Sequence, residues 1–466
     1  MKNTTELAEG KIRPLMRKYF IPAFVGVVVN SLYNIVDRIY IGQGVGAEAL
    51  AGVSVIFPIM LIMMGFSMLI GIGAGVMVSI SLGRRDIPRA EKTLGTSVVL
   101  MVVVSLLMTV LGFVIKGPVL RSFGATETTY QYANDYLDII LFGVVFQVLG
   151  FSLNNIIRSE GNARLAMISM LLSAGINIIL DPLFIFVFDM GVKGAAWATL
   201  ISMVVLTFWV MAHFRSDRSE IRLKREFLYV DFPVMMDILA IGMAPFAMQI
   251  AGSVVQGLLN KKLILFGGDL AVGAMGIINS VTTLVVMTIV ALNMAAQPII
   301  GFNYGARSPE RVREALGLSL RFATYIAIAS FLVLEIFPGP MVWLFNSSSE
   351  ELQQITIRGL RIYILAYPVV GYMVVAGNFF QSIGKAGLSM FMTLLRQVLI
   401  LLPFLVMFPS FWGLTGIWVA FPVSDFLASL VVAWLLVREW RRLDHIRPAT
   451  ESSPAAPAPY ETPHNG

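Results

Sequence analysis

Cysteine is absent from this 466-residue chain, histidine occurs three times, and Asp, Glu, Lys and Arg together supply only 13% of it. The first absence excludes a disulfide framework and thiol chemistry. The second leaves no cluster of metal ligands, because two of the three histidines, His445 and His464, lie in or beside a Pro-, Ala- and Ser-rich C-terminal tail. No Ser-His or Cys-His arrangement is available for nucleophilic catalysis, so an enzyme is not expected. A soluble chain averages about 25% charged residues. The shortage here, with 57% hydrophobic residues and a mean hydropathy of +0.80, excludes a soluble globular domain. The net charge of +6 asks for no nucleic acid, since the positive residues are scattered over separate short connections rather than gathered into a basic patch with interleaved aromatics.

What is present is a series of apolar runs of membrane-spanning length. A spanning helix needs about 20 such residues, whereas a membrane barrel alternates in segments of about ten. The chain is therefore expected to be an all-α membrane protein, with twelve transmembrane helices near 14–41, 50–82, 92–116, 134–157, 164–188, 193–213, 235–265, 272–303, 314–344, 357–381, 386–409 and 414–437. Lys and Arg concentrate at the N-terminus (Lys2, Lys11, Arg13, Arg17, Lys18) and then in alternate connections, which places both termini in the cytoplasm. The apolar run after Lys18 is too long for the core of a cleavable signal. The expected organisation is an N-terminal six-helix bundle over 1–213, a cytoplasmic linker on the membrane surface over 214–234, a C-terminal six-helix bundle over 235–440 and a disordered cytoplasmic tail over 441–466.

Displacing the chain against itself by about 222 or 223 residues aligns Pro22 with Pro245, Gly83 with Gly305, Arg85 with Arg307, Gly161 with Gly384, and Gly191 with Gly413. Six helices map onto six with orientation preserved, which implies two pseudo-symmetric bundles with a central cleft, a plan suited to alternating access.

The stretch from Pro22 to Gly42 carries Asn30, Asn34 and Asp37 on one helical face. An aspartate at a helix centre costs about 2.5–3.5 kcal/mol on insertion scales, so Asp37 is read as facing a polar cavity. Pairing with adjacent Arg38 is poor, because neighbours point about 100° apart. Depth along the other helices brings Asp181, with Asn177 one turn before it, Thr199 and Tyr136 to the same level. The alternative for Asp181 is a helix-breaking Asp-Pro pair with Pro182. The equivalent positions of Asp37, Asn177, Asp181 and Thr199 in the second half are Asn260, Leu399, Pro403 and Phe421, so the polar cluster is expected in the N-terminal bundle alone. Two carboxyl groups in one low-dielectric pocket cannot both stay ionised without a cation. The pair takes up a proton, or binds a small cation with Asn and Thr oxygens completing the shell. Pro22 removes a backbone hydrogen bond from its helix and serves as an expected hinge. Snorkelling or a helix-end position accounts for Arg396; nothing in the pattern accounts for Lys261 and Lys262.

The runs PAFVGVVVNSLYNIVDRIYIG, RSEGNARLAMISMLLSAGINIILDPLFIF, MGVKGAAWATLIS and MAAQPIIGFNYGAR together resemble the multidrug and toxic compound extrusion (MATE) family over residues from about 10 to 440. The resemblance implies a monomeric efflux pump of the bacterial cytoplasmic (inner) membrane. A Na+ or H+ gradient would drive export of amphipathic, mostly cationic organic compounds, with no other cofactor. It implies a cation site at Asp37, Asn177, Asp181 and Thr199 with Tyr136 nearby, and a substrate-lining region at Asn30, Tyr33, Asn34 and Asn154. Some members also use a glutamate in the seventh helix and an aspartate in the tenth. Here the seventh offers only Gln249, Gln256 and Asn260, and the apolar part of the tenth has no acid, so the chain is similar to members that rely on the N-terminal half. A lipid or lipid-linked oligosaccharide flippase of the same superfamily is the alternative, and it would be expected to carry a strongly cationic cavity.

Overall fold

Two helices are too long for any bilayer. Phe232–Gly305 and Leu402–Leu443 have 74 and 42 residues, and each is broken by a glycine of positive φ, Gly268 at 63° and Gly413 at 58°. An L side chain is strained in that conformation, so the glycines mark true turns between separate spans. The computed structural model describes residues 2–345 and 349–443. With those breaks, and with Glu350–Tyr363 and Tyr367–Ser382 taken as one span bent by 56°, twelve membrane-length helices stand among the described residues. They are α1 (Ile12–Gly44), α2 (Ala47–Gly83), α3 (Ile87–Ser122), α4 (Glu127–Ser159), α5 (Ala163–Val187), α6 (Gly191–Arg215), α7 (232–267), α8 (269–305), α9 (Pro309–Ile336), α10 (the bent pair), α11 (386–412) and α12 (414–443). No strand occurs among the described residues.

The repeat is written in the backbone as well as in residue types. Positive φ values recur at matched positions: Gly46 and Gly268, Arg85 and Arg307, Gly161 and Gly384, Gly191 and Gly413. Both fifth helices of the repeat also loosen into π-helical winding, at Leu183–Val187 and Leu395–Leu401.

The two halves meet at the end that carries the basic connections. A Cβ at Gly83 would lie 2.0 Å from the Phe302 carbonyl oxygen, and one at Gly305 would lie 2.1 Å from that of Ile80, so only glycine permits this crossing of α2 with α8. Ser79 Oγ donates to the Pro298 carbonyl at 3.0 Å in the same contact. The largest buried cluster runs across the junction, from Val76, Met77 and Leu82 to Ile299, Ile300, Phe379 and Phe380. Towards the other end, polar side chains are exposed along the spans: Asn30 and Asn34 on α1, Ser54 near the start of α2, Gln256 on α7, Ser280 and Thr283 on α8. Polar groups in membrane helices turn away from lipid, so these line a cleft between the halves.

Three local features differ from the sequence reading. The N-terminal segment is a helix, Lys2–Glu9, clamped to the second half: Arg311 donates to the Leu7 and Gly10 carbonyls at 2.9 and 2.8 Å, and Asn303 Nδ2 to Leu7 at 3.3 Å. The ninth predicted helix, 314–344, instead ends at Ile336, because Pro338 and Pro340 supply no N–H to continue it. The last helix reaches Leu443, into the expected tail; the remainder of that tail lies outside the described residues. Between the halves, the linker is pinned to α3. Lys224 Nζ pairs with Glu91 at 2.6 Å, and Thr96 Oγ1 donates to the Tyr229 carbonyl at 3.2 Å.

Candidate functional site

α1 and α5 approach closely because small residues stand where they cross. A Cβ at Gly26 would lie 2.9 Å from Met170 Sδ, and one at Gly44 would lie 2.5 Å from Ile185 Cγ2. This brings Asp37 and Asp181 together: they are 9% and 0% exposed, and their carboxyl groups lie within hydrogen-bonding reach of each other. Asn177 Nδ2 donates to Asp181 Oδ1 and to Thr199 Oγ1, each at 3.3 Å, so α5 and α6 are joined through one amide. Tyr136, buried on α4 beside Thr199, and Tyr33 of α1 both lie near the two carboxyls. Four helices thus supply one cluster.

Its oxygens outnumber its donors. Asp37 Oδ1, Asn177 Oδ1 and Asp181 Oδ2 are buried with no hydrogen-bond partner. An unpaired buried acceptor costs about 1–3 kcal/mol, and an uncompensated buried charge costs more. The three atoms belong to side chains already in mutual contact, so one small cation could meet all three at once, and one proton shared between the carboxyls would relieve two of them. An all-oxygen set suits a hard cation rather than a transition metal. Among the described residues no three His, Cys, Asp or Glu side chains are grouped to hold a metal.

The other expected residues fall elsewhere. Asn154 is eighteen positions along α4 from Tyr136, about 27 Å of helix rise. It is buried, with its Oδ1 unpaired, and does not join the cluster. Asn30 and Asn34 face the cleft, where the Asn34 amide donates to the Asn30 carbonyl at 2.7 Å. Arg38 lies over the Phe57 ring, 5.2 Å from its centre. Pro22 lies within α1, which is helical from Ile12 to Gly44. Pro182 does not end α5; the chain continues in π-helical winding, a form that can accommodate a missing N–H.

The second half holds a buried charge of its own, away from the positions that match the cluster. Arg396 does not snorkel: its Nε donates to Asp425 Oδ1 at 2.6 Å and its Nη2 to Oδ2 at 3.4 Å, with Asp425 only 5% exposed. Tyr363 and Tyr367 lie beside this pair, and Ser424 Oγ donates to the Arg396 carbonyl at 3.0 Å. The repeat alignment did not reveal it, because neither residue has a charged counterpart in the first half. The available signal was the lone Asp425 in the apolar run FPVSDFLASL. Of the two unexplained lysines, Lys262 Nζ lies 5.9 Å from the centre of the Phe266 ring.

Twelve membrane-length helices in two repeated halves, with a polar cleft and ionisable groups buried at membrane depth, define a multi-pass membrane transporter. A family model, MatE, matches residues 22–183 and 244–407, once in each half and at the spacing of the internal repeat. The chain belongs to the MatE family, whose members are transporters and not enzymes. It is similar to a protein of Shewanella oneidensis named FAD transporter, with 27% identity over 94% of this chain and 97% of that one. It is also similar to the multidrug export protein MepA of Staphylococcus aureus, with 24% identity over 90% and 93%. A crystal structure described as MATE in the bent conformation superposes with a TM-score of 0.90 at 26% identity, covering 95% of this chain and 98% of that one.

Proposed function

We propose that this transporter is a cation-coupled antiporter of the bacterial inner membrane, exporting amphipathic, mostly cationic organic compounds by alternating access. Asp37 and Asp181 form its coupling site with Asn177, Thr199 and Tyr136. The observation that carries the reading is the contact between two buried carboxyl groups whose free oxygens have no partner. Either a proton or Na+, as the transported driving ion, satisfies them, and its arrival removes negative charge from the wall of the N-terminal half. Tyr33 and Asn34 stand between that wall and the cleft, so a bound organic cation competes for the same charge. The similarity to a multidrug export protein supports export as the direction.

The flippase alternative has one observation in its favour, a basic cavity between the halves. A phosphate carried through the centre would nevertheless meet the two acids of the first half and an Arg already paired with Asp425 in the second. The experiment is uptake of an ethidium-like cation by proteoliposomes under separately imposed Na+ and pH gradients, with FAD as the anionic comparison. Transport of the cation driven by one of the two gradients is expected. Indifference to both gradients removes the antiport assignment, and gradient-driven transport of FAD alone replaces the substrate class.

A further inference from the structure

The large cavity, about 1170 Å³, lies at the basic end, where the starts of α1 and α5 face α8 and α9, so both halves wall it. Four cations line it: Arg13, Arg17, Lys18 and Arg164. Lys18 pairs with Glu6, while Arg13, Arg17 and Arg164 have no ion-pair or hydrogen-bond partner among the described residues. Glu6 is thus the local counter-charge, and the rim stays positive. Beneath the cations the lining turns apolar, with Ile21, Met167, Leu292 and Phe322; Ile21 and Phe322 are 47% and 42% exposed.

The order of these surfaces matters. Arg13 and Pro22 are nine positions apart on α1, about 13–14 Å of rise. A cationic rim therefore stacks over an apolar wall along the helix axis, as phosphate stacks over acyl chain in a leaflet. The N-terminus of α5, at Ala163, opens onto the same rim and adds partial positive charge.

We propose that this cavity binds an anionic phospholipid, with the headgroup phosphate held by Arg13, Arg17 and Arg164 and the upper acyl chains laid against Ile21, Met167, Leu292 and Phe322. A free phosphate satisfies the rim but leaves the apolar wall wet. A lipid covers both. Basic pockets between membrane helices are a recurrent way of holding anionic headgroups. Because Leu292 and Phe322 belong to the second half, the lipid bridges the halves at the level where they meet. The proposal does not depend on the coupling ion or the exported substrate.

The test uses the full chain purified in mild detergent, given phosphatidylglycerol, phosphatidylcholine or inorganic phosphate. Native mass spectrometry and thermal unfolding are the readouts. Preferential retention of phosphatidylglycerol and a rise in the unfolding midpoint with that lipid alone are expected. Substituting Arg13→Gln, Arg17→Gln and Arg164→Gln together should cut that retention about tenfold, while Arg215→Gln with Arg218→Gln on the linker leaves it unchanged. Equal retention of the two lipids by the wild type overturns the proposal without recourse to any variant. An equal midpoint rise with inorganic phosphate, or equal loss in both variants, does so as well.

Discussion

Arg396 of α11 grips Asp425 of α12 through two nitrogens, at 2.6 and 3.4 Å, with the carboxylate almost wholly buried. Removing one partner of such a pair strands the other charge. Arg396→Ala should therefore destabilise the protein by about 3–5 kcal/mol, whereas the double change Arg396→Met with Asp425→Leu should cost far less. Thermal unfolding of the three purified proteins in one detergent checks this. Equal loss in the single and double variants would show that the pair is not acting as a unit.

At the site in the first half, two carboxyl groups face each other instead. Asp37→Asn or Asp181→Asn removes one of the two acids, so the unfolding midpoint should hold or rise while gradient-driven export falls about tenfold or more, equivalent to about 1.4 kcal/mol or more of barrier. Transport and unfolding measured on the same preparation separate this outcome from simple misfolding.

The crossing of α2 with α8 leaves no room for a side chain. Gly83→Val places atoms within 2.0 Å of a carbonyl oxygen, and neither backbone can yield without breaking its own helix. Loss of folded protein is expected, well beyond the usual 1–3 kcal/mol of an overpacked core. Recovery of monodisperse Gly83→Val protein on size-exclusion chromatography would contradict it.

Asp231 caps α7 by accepting from the Val234 N–H at 3.1 Å and pairs with Lys92, and the Lys92 ammonium holds its carboxyl below the usual carboxylate range. A carboxyl depressed in the folded state contributes stability that is complete above its unfolded value, about 3.9, and is lost as pH falls through the lower folded value. Asp231→Ala should cost about 0.5–2 kcal/mol at neutral pH through the lost cap. The gap between wild type and variant should narrow as pH is lowered below about 4, as followed by unfolding midpoints across a pH series.

Much of this architecture was legible in the chain, for physical reasons that also explain the gaps. Bilayer thickness forces apolar runs of a set length, so the twelve spans could be counted, and glycines needed for positive φ exposed the repeat. Asp37, Asn177 and Asp181 stood out because acids and amides are costly among apolar neighbours, and depth along each helix brought them level. Asn154, expected along the substrate-lining region, stands well down α4 from the cluster, a separation that polarity alone does not reveal. Arg396 with Asp425 was missed because mutual neutralisation between helices leaves no local pattern, and the repeat that served elsewhere has nothing to align there. The docked N-terminal helix escaped notice because its contacts reach some 300 residues along the chain.

That last contact orders events during synthesis. Leu7 is made well before Arg311, which holds its carbonyl and follows only after eight spans have been produced. At about 5–20 residues per second, the opening helix waits on the order of 15–60 s for its partner. Its docking onto the second half therefore comes late in assembly.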